Sequence, residues 1–182
     1  MLGRMATIFE IPTLRTDRLV LRAFRAGDLD AWAAMESDIE VRRYRGNNLR
    51  TREQAWGVME TSLGQWALRG YGLFAIEQAA DGCFAGFAGI LHPADWPEPE
   101  LAYSLARPFW GRGFAVEAAR TARDWAFAAH GFTQLASFIL PDNARSIRVA
   151  ETLGAVREGT VELRGFVAEW WVHRSPGHGP IV

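Results

Sequence analysis

A turn between a predicted strand and a predicted helix constrains this chain more than any other feature of its sequence. A strand-like run at 100–106 is followed by Gly111-Arg-Gly-Phe-Ala115, and a helical pattern covers 113–130. The first N–H groups of a helix have no partner within it, and the helix dipole places partial positive charge there. Because Gly111 and Gly113 lack Cβ atoms, an anion can approach the backbone closely. We therefore predict an anion site suited to phosphate.

The turn matches neither of two common nucleotide-binding motifs. A dinucleotide fingerprint has a third glycine and opens the first strand–helix–strand unit, and a P-loop continues with Gly-Lys-Ser/Thr. Here the third glycine is absent and the spacing is shorter, with Ala115 as the small residue at the third close position, and no Gly-Lys-Ser/Thr follows. A Gly-x-Gly pair by itself is also compatible with an ordinary strand-to-helix connection. A nucleotide-dependent enzyme therefore stays open as a rival interpretation.

Composition and charge restrict the class of protein. The 182 residues are 49% hydrophobic, which predicts one domain over 1–182, with a core at about 12–173 and a loose tail at 174–182. Twenty basic and 21 acidic residues give a net charge of -1, which argues against a nucleic-acid partner. The single cysteine excludes an intrachain disulfide and a cysteine-built zinc site. With no long apolar run or leader pattern, we expect a cytoplasmic protein that does not bind membranes.

Alternating strand and helix patterns predict a sheet covered by helices, an α+β or α/β fold. Thr51 and Gln54 are spaced as a capping box, Gly70 ends the same helix, and Asp81-Gly82 marks a hairpin. The predicted strands are 18–25, 71–78, 83–91, 100–106, 134–140, 155–160 and 166–173. The predicted helices begin after Gly27-Asp28 and cover 51–70, 113–130 and about 143–154.

A second motif follows the strand at 134–140 and makes the sequence recognisable. It reads Pro141-Asp-Asn143-Ala-Arg-Ser146 and continues to Gly154. Together with 16–22, 100–105 and 110–118, it resembles the GNAT superfamily of N-acetyltransferases, and within it the branch acting on ribosomal-protein N-terminal alanine. The resemblance spans about 12–173 in the right order. Trp110 departs from the Gln or Arg that is usual in the wider family, but Trp is common in this branch.

The resemblance implies a GNAT fold. This is a mixed, mostly antiparallel, bent sheet of about seven strands, with helices on both faces and a V-shaped splay between two parallel strands, here 100–106 and 134–140. Acetyl-CoA, the implied co-substrate, would lie in the splay with its pyrophosphate on the turn. The implied coenzyme-binding residues are Tyr103, Leu105, Trp110, Gly111, Arg112, Gly113, Phe114, Ala115, Asn143 and Arg148. Arg145 is also placed to reach the CoA phosphates, and the alternative for Arg112, Arg145 and Arg148 is a solvated side chain on a helix surface.

The implied reaction is acetyl transfer to a primary amine, either a protein N-terminus or a small molecule, by direct attack. Such an amine is mostly protonated at pH 7 and must lose a proton first. Glu100 is the first candidate for the general base, acting through a water, and Glu98 is the second. Ser146 is the candidate proton donor to the leaving thiolate, and Asn143 contacts the pantetheine or caps the following helix. A backbone N–H near Leu105 would stabilise the oxyanion.

A non-catalytic acyl-CoA-binding or regulatory module is the alternative function. Such a module would keep the phosphate turn, but it would need neither Glu100 nor Ser146. The sequence does not distinguish a monomer from a homodimer, and it does not identify the acceptor amine.

Other chemically capable residues receive structural interpretations. We expect Cys83 to be a small buried side chain rather than a nucleophile. Trp96 is a candidate wall of the acceptor pocket. The remaining expectations concern three groups of side chains. We expect core positions for Trp32, Trp56 and Trp66. We expect no metal-binding or catalytic role for His92, His130, His173 and His178. We expect a solvated basic loop at Arg42, Arg43, Arg45 and Arg50, with a site for an acidic acceptor as the alternative.

Overall fold

One sheet of eight strands organises the part of the chain that the computed structural model describes, residues 9–46 and 48–177. The strand order across the sheet is β1-β2-β3-β4-β5-β6-β8-β7. The sequence predicted about seven strands, and the additional one is β1, which has two residues and leaves no periodic pattern. The strands are β1 Leu14–Arg15, β2 Leu19–Arg22, β3 Leu73–Gln78, β4 Phe84–Leu91, β5 Glu100–Leu105, β6 Gln134–Ile139, β7 Val156–Leu163 and β8 Phe166–Arg174.

The sheet opens between β5 and β6. All other neighbouring strands pair antiparallel, whereas β5 and β6 are parallel and share one register pair, Glu100 with Ala136. Beyond that pair the two strands diverge, which confirms the predicted splay. Where they separate, the buried Ser137 hydroxyl donates a hydrogen bond to the Leu101 carbonyl and lies 3.1 Å from Nε2 of His173. Burial lowers the pKa of His173 to about 4, so this histidine is neutral at pH 7 and serves the packing.

Five helices accompany the sheet in the described residues. The Thr51–Gln54 capping box and the left-handed Gly70 terminus occur as predicted, with φ of +74° at Gly70. The sequence analysis missed α2, because four residues are too short for a helical period. The helices are α1 Leu29–Glu36, α2 Ile39–Arg42, α3 Arg52–Arg69, α4 Phe114–His130 and α5 Ala144–Thr152.

Helices pack on both faces of the sheet. Successive strand residues point to opposite faces, and β3 shows this alternation clearly. Its Phe74 and Ile76 belong to a core cluster that includes the buried alanines of α4, whereas its Leu73 and Ala75 belong to a second cluster with α1 and the first half of α3. A third, smaller cluster joins α5 to β6 and β8. The sheet is therefore a layer between helices, and the splay is an opening in that layer.

Two predictions of burial are wrong. Cys83 is exposed because it belongs to the turn between β3 and β4, where its N–H donates to the Asp81 side chain. The strand β4 begins only at the next residue, Phe84. Trp56 is 38% exposed on the outer side of α3, whereas Trp32 and Trp66 are buried as expected. His178 and the end of the predicted tail lie outside the described residues, and β8 continues to Arg174.

Residues 9–46 and 48–177 contain neither a candidate membrane-spanning helix nor a candidate metal cluster. No helix there has both the length and the apolar character needed to cross a bilayer. Nor do three or more His, Cys, Asp or Glu side chains come together in that part of the chain in a way that would hold a metal ion.

Candidate active site

The glycine turn, residues 111–115, presents its backbone at the beginning of α4. Gly111 and Gly113 are exposed and have φ of +73° and +77°, a conformation that glycine adopts without strain. Gly113 is the N-cap of the 17-residue α4, and no side chain caps it. The first N–H groups of the helix, from Phe114 onward, are therefore free to bind an anion.

An ion pair from the N-terminal segment holds this turn in place. Arg18 pairs with Glu117 in the first turn of α4, and its Nη1 donates to the Arg112 carbonyl at 2.9 Å. The Thr16 hydroxyl also donates to Glu117. Burial opposes ionisation of Glu117, but the hydrogen bonds from Thr16 and Arg18 lower its pKa below the usual value. The motif at 16–22 thus supports the glycine turn rather than lining the cleft.

At Tyr103 and Leu105, the predicted pantetheine positions, the backbone N–H and C=O groups of β5 point toward the splay. The Ala106 N–H donates to the Ala85 carbonyl on the β4 side. Backbone groups of successive strand residues point alternately to the two neighbours, so those of Leu105 and Tyr103 point to the open side. The Trp110 indole N–H donates to the Leu105 carbonyl at 2.7 Å, which ties the glycine turn to the end of β5.

A cleft of about 390 Å³ connects the turn, the end of β5 and the start of α5. It brings together most of the sequence-predicted site residues. Arg112 is not on its wall, because this side chain extends to Gln78 and lies over the Phe109 ring. The predicted residues that line the cleft are Tyr103, Leu105, Trp110, Gly111, Gly113, Phe114, Ala115, Asn143, Ser146 and Arg148, and Arg145 lines it as well.

Glu100 lies in a smaller adjoining cavity of about 70 Å³ between β5 and β6, which shares Tyr103, Asn143 and Ser146 with the cleft. The Trp96 indole N–H donates to its carboxylate at 2.7 Å. Burial raises the pKa of Glu100 to about 7, although hydrogen bonds from Trp96 and the Phe138 backbone and the charge of Arg45 oppose this shift. A carboxyl group with such a pKa accepts and releases protons near neutral pH.

The second candidate base lies elsewhere in the loop before β5. Oε2 of Glu98 accepts a hydrogen bond from the Gln134 side chain at 2.9 Å. Glu98 lines neither the cleft nor the smaller cavity. Among the two acidic candidates, the geometry therefore favours Glu100.

The start of α5 and Tyr103 of β5 supply the candidate proton donors. The Asn143 side chain accepts from the Ser146 N–H at 3.3 Å, so Asn143 caps the helix while it lines the cleft. The Tyr103 hydroxyl donates to the Ser146 carbonyl at 3.1 Å. Burial raises the pKa of Tyr103, so its phenol keeps its proton at neutral pH. The sequence analysis gave Tyr103 only a backbone role, whereas its hydroxyl lies beside Ser146 and is a second candidate donor.

The basic loop predicted at Arg42, Arg43, Arg45 and Arg50 is not solvated as a whole. Three of its members surround Glu36 at the end of α1, whose side chain is 0% exposed. Arg42 and Arg45 donate to this carboxylate at 3.2 and 2.7 Å, and Arg50 donates to it as well. We call Glu36 with Arg42, Arg45 and Arg50 the arginine cluster. The expectation of a solvated loop is wrong because the anionic partner, Glu36, lies in α1. The sequence of the loop does not show that this carboxylate is buried.

Two further residues differ from their sequence-based interpretation. Trp96, expected as a pocket wall, instead holds the Glu100 carboxylate and packs against Phe138. Arg145, weighed as a phosphate ligand, places its guanidinium 4.0 Å from the centre of the Trp110 ring. This contact joins α5 to the glycine turn across the cleft. The pairing of Trp96 with Glu100 had one signal in the sequence, which is a tryptophan four residues before an acid at the end of a Pro-rich loop.

Comparison with known proteins gives the family of this fold and site. The sequence model of the family described as "Acetyltransferase (GNAT) domain" matches residues 18–156. The chain is 29% identical over 152 residues to the uncharacterized N-acetyltransferase YoaA of Bacillus subtilis (strain 168), covering 82% of this chain and 86% of that protein.

Solved structures share the architecture over nearly the whole chain. The acetyltransferase from Agrobacterium tumefaciens str. C58 superposes with a TM-score of 0.83 at 32% identity, covering 95% of this chain and 100% of that one. The spermidine N-acetyltransferase from Vibrio cholerae, solved in complex with CoA and spermine, has a TM-score of 0.71 at 17% identity. That comparison covers 87% of this chain and 96% of the other, and it shows the fold alone.

Proposed function

The chain belongs to the GNAT acetyltransferase family, and from that premise we propose that it moves the acetyl group of acetyl-CoA to a primary amine. The acceptor is a small molecule or a protein N-terminus. One observation carries the proposal. A single cleft runs from free amide groups at the beginning of α4 to a cavity that contains a carboxyl group with a pKa near neutrality.

Acetyl-CoA fits the end of the cleft at the glycine turn. Free N–H groups and the positive end of the α4 dipole suit the pyrophosphate, and the exposed backbone of β5 suits an amide-bearing arm. The CoA in the Vibrio cholerae spermidine N-acetyltransferase supports the same coenzyme on this fold. We assign the pyrophosphate to the glycine turn and the pantetheine arm to Tyr103 and Leu105.

The transfer balances without any further reactant. Glu100 accepts the proton of the ammonium group through a water, and the neutral amine nitrogen attacks the thioester carbonyl carbon. The Leu105 N–H faces the position where negative charge develops on oxygen. The C–N bond forms first and gives a tetrahedral intermediate, which collapses with cleavage of the C–S bond. The nitrogen gives up its second proton in this step, and Ser146 or the Tyr103 hydroxyl relays that proton to the thiolate, so the hydroxyl regains the proton that it donates. Glu100 then releases its proton to solvent. The products are an amide and CoA.

Direct transfer agrees with the position of Cys83. This thiol lies in the exposed turn between β3 and β4 and is not on the wall of the cleft. A hydrogen bond with Asp81 raises its pKa, which disfavours the nucleophilic thiolate.

The proposal is tested by measuring free-thiol release from acetyl-CoA in the presence of a panel of primary amines. We expect thiol release that depends on the amine, and an acetylated product of the corresponding mass. In parallel titrations only acetyl-CoA, and neither NAD nor ATP, should bind at micromolar concentrations. Tight binding of acetyl-CoA with no turnover of any amine would support the non-catalytic module instead.

A further inference from the structure

The arginine cluster carries more positive charge than its own carboxylate neutralises. Glu36 contributes one negative charge, whereas Arg42, Arg45 and Arg50 contribute three positive charges. The carboxyl group of Glu100 also interacts with the charge of Arg45, but burial raises the pKa of Glu100 to about 7, so it is only partly ionised at pH 7. Their side chains are only 4%, 24% and 28% exposed. Holding an excess charge in such a position is costly unless an anion accompanies it.

A second buried ion cluster shows an arginine whose charge and side-chain nitrogens are fully matched by acidic residues of the protein. Arg22 donates through both terminal nitrogens to Asp28 at 2.8 Å and through Nε to Glu77 at 2.7 Å. All three nitrogens have acidic partners. Arg25 lies 3.7 Å from the same Glu77 carboxylate, so two positive charges face two negative charges. None of its residues lines the cleft or the smaller cavity at Glu100, which is consistent with a purely structural role.

Arg45 differs from Arg22 both in its hydrogen-bond partners and in its position beside a cavity. Within the described residues only its Nη1 has a hydrogen-bond partner, the carboxylate of Glu36, whereas its other nitrogens carry further N–H groups. Arg45 also lines the cleft, together with Tyr103 and Leu105. Its neighbour Glu40 lines the cleft as well, but it forms no ion pair in the part of the chain that the structure describes.

The position of Arg45 separates it from the phosphate end of the cleft. Its guanidinium lies 4.8 Å from the centre of the Phe87 ring. Phe87 pairs with Ser104 in the middle of the sheet. Ser104 precedes Gly111 by seven residues in the chain. The phosphates assigned to the glycine turn therefore do not account for Arg45. Its charge instead acts on the carboxyl group of Glu100, so Arg45 lies on the side of the cleft where the candidate base would meet the acceptor amine.

The rest of the cluster keeps Arg45 oriented. Arg42 Nε donates to the Asn48 carbonyl at 3.0 Å, and the Arg50 N–H donates to the Glu36 carbonyl at 3.1 Å. These bonds hold Asn48 beside the end of α2 and Arg50 beside the end of α1. The guanidinium of Arg45 is fixed between Glu36 and the Phe87 ring, which is the preorganisation that a carboxylate-binding arginine needs.

We propose that the acceptor is a primary amine that also carries a carboxylate, and that Arg45 binds this carboxylate. The inference rests on the proposed acetyl transfer for its chemistry, but its binding part stands independently. A free amino acid and an acidic peptide N-terminus share the recognised group. Glu36 is the positioning residue, because it holds Nη1 of Arg45 while the other N–H groups of this guanidinium bind the substrate carboxylate.

The test compares matched ligands that differ only in the carboxylate. One pair is 5-aminopentanoate and 5-aminopentanamide, and a second is Ala-Asp-amide and Ala-Asn-amide, which represents a peptide source. Each is titrated calorimetrically into the CoA-bound protein, and each is assayed for acetylation. Wild type should bind and turn over the carboxylate member of at least one pair about 10- to 100-fold better, as expected for a charge-assisted hydrogen bond.

Arg45→Gln should reduce that ratio to about one and leave CoA affinity unchanged. Arg45→Lys should retain part of the preference, because it keeps the charge and loses the planar geometry. Arg52→Gln is the matched control, since Arg52 pairs with Asp30 at the surface outside the cleft; it should keep the full ratio.

The outcomes separate the inference from the proposed function. Equal binding of acid and amide by wild type, or a preference that survives Arg45→Gln, would overturn the carboxylate proposal even if turnover is rapid. Binding of the acid that depends on Arg45, without acetylation of any amine, would support the site and overturn the transferase function.

Discussion

The glycine turn and the arginine cluster stand at different parts of one cleft, and both are suited to anions by different means. The turn uses backbone N–H groups at the beginning of a helix, and it needs only glycine at two positions with positive φ. The cluster uses side chains from α1, α2 and the following loop, whose charges must be balanced in a buried place. Substitutions should therefore have small effects at the turn unless they change the backbone, and large effects wherever a buried charge loses its partner.

The largest expected effect is on the buried carboxyl group of Glu100. We expect Glu100→Gln to lower kcat/KM about 100- to 10,000-fold, because general-base catalysis contributes this much. The ionised carboxylate is the active form, so wild-type activity should fall as the pH decreases through about 7, and this step should be missing from the variant. The measurement is kcat/KM between pH 5.5 and pH 9, values chosen to span that pKa by roughly two units.

Glu98→Gln is the control for this comparison, since Glu98 is bound to Gln134 outside both cavities. It should retain the wild-type profile. If Glu98→Gln removes the pH step and Glu100→Gln does not, the assignment of the base is wrong.

The second effect is on the stability of the arginine cluster. Glu36→Gln leaves the buried Arg42 without its anionic partner, and we expect the free energy of unfolding to fall by about 3–5 kcal/mol. Burial already lowers the pKa of Arg42 to about 10, which shows how unfavourable its charge is there. Urea denaturation followed by tryptophan fluorescence measures the change.

Asp30→Asn on the same helix provides the contrast. Asp30 pairs with Arg52, and both are exposed, so the loss should stay below about 1 kcal/mol. Similar losses for Glu36→Gln and Asp30→Asn would mean that burial of the cluster does not matter for stability.

The third effect isolates the backbone of the glycine turn. Gly111 and Gly82 both have φ of +73°, and an added Cβ meets open space at either position. Alanine at either position should cost about 1–2 kcal/mol of stability, the usual penalty for the left-handed conformation. Only Gly111→Ala should also weaken acetyl-CoA binding, by about 10-fold, because one amide–phosphate hydrogen bond is displaced. Calorimetric titration of both variants decides whether the turn binds the coenzyme, and equal affinities would refute that role.

The smallest effect is expected for the side chain of Arg112 in the same turn. It extends to Gln78 and over Phe109 and does not line the cleft. Arg112→Ala should therefore change acetyl-CoA affinity by no more than about fivefold, the range of an exposed charge contact. A much larger loss would show that this arginine turns toward the phosphates when the coenzyme binds.

The features that the sequence predicted correctly are those determined by neighbours in the chain. The capping box at Thr51, the left-handed end at Gly70 and the hairpin at Asp81-Gly82 depend on a few consecutive residues. The motif at 110–118 likewise indicated a turn with free amide groups, and the structure has this geometry. The splay was available only through the resemblance, since strand pairing over long distances leaves no local signal.

Tertiary structure alone decided which charges and aromatic rings meet. Arg45 could not be assigned to Glu36, nor Arg18 to Glu117, because their separations along the chain carry no periodic relation. The same holds for exposure, since Cys83 and Trp56 occur in patterns that also fit buried positions. Backbone conformation follows local sterics and hydrogen bonding, whereas the burial and pairing of a charge depend on every segment that packs around it.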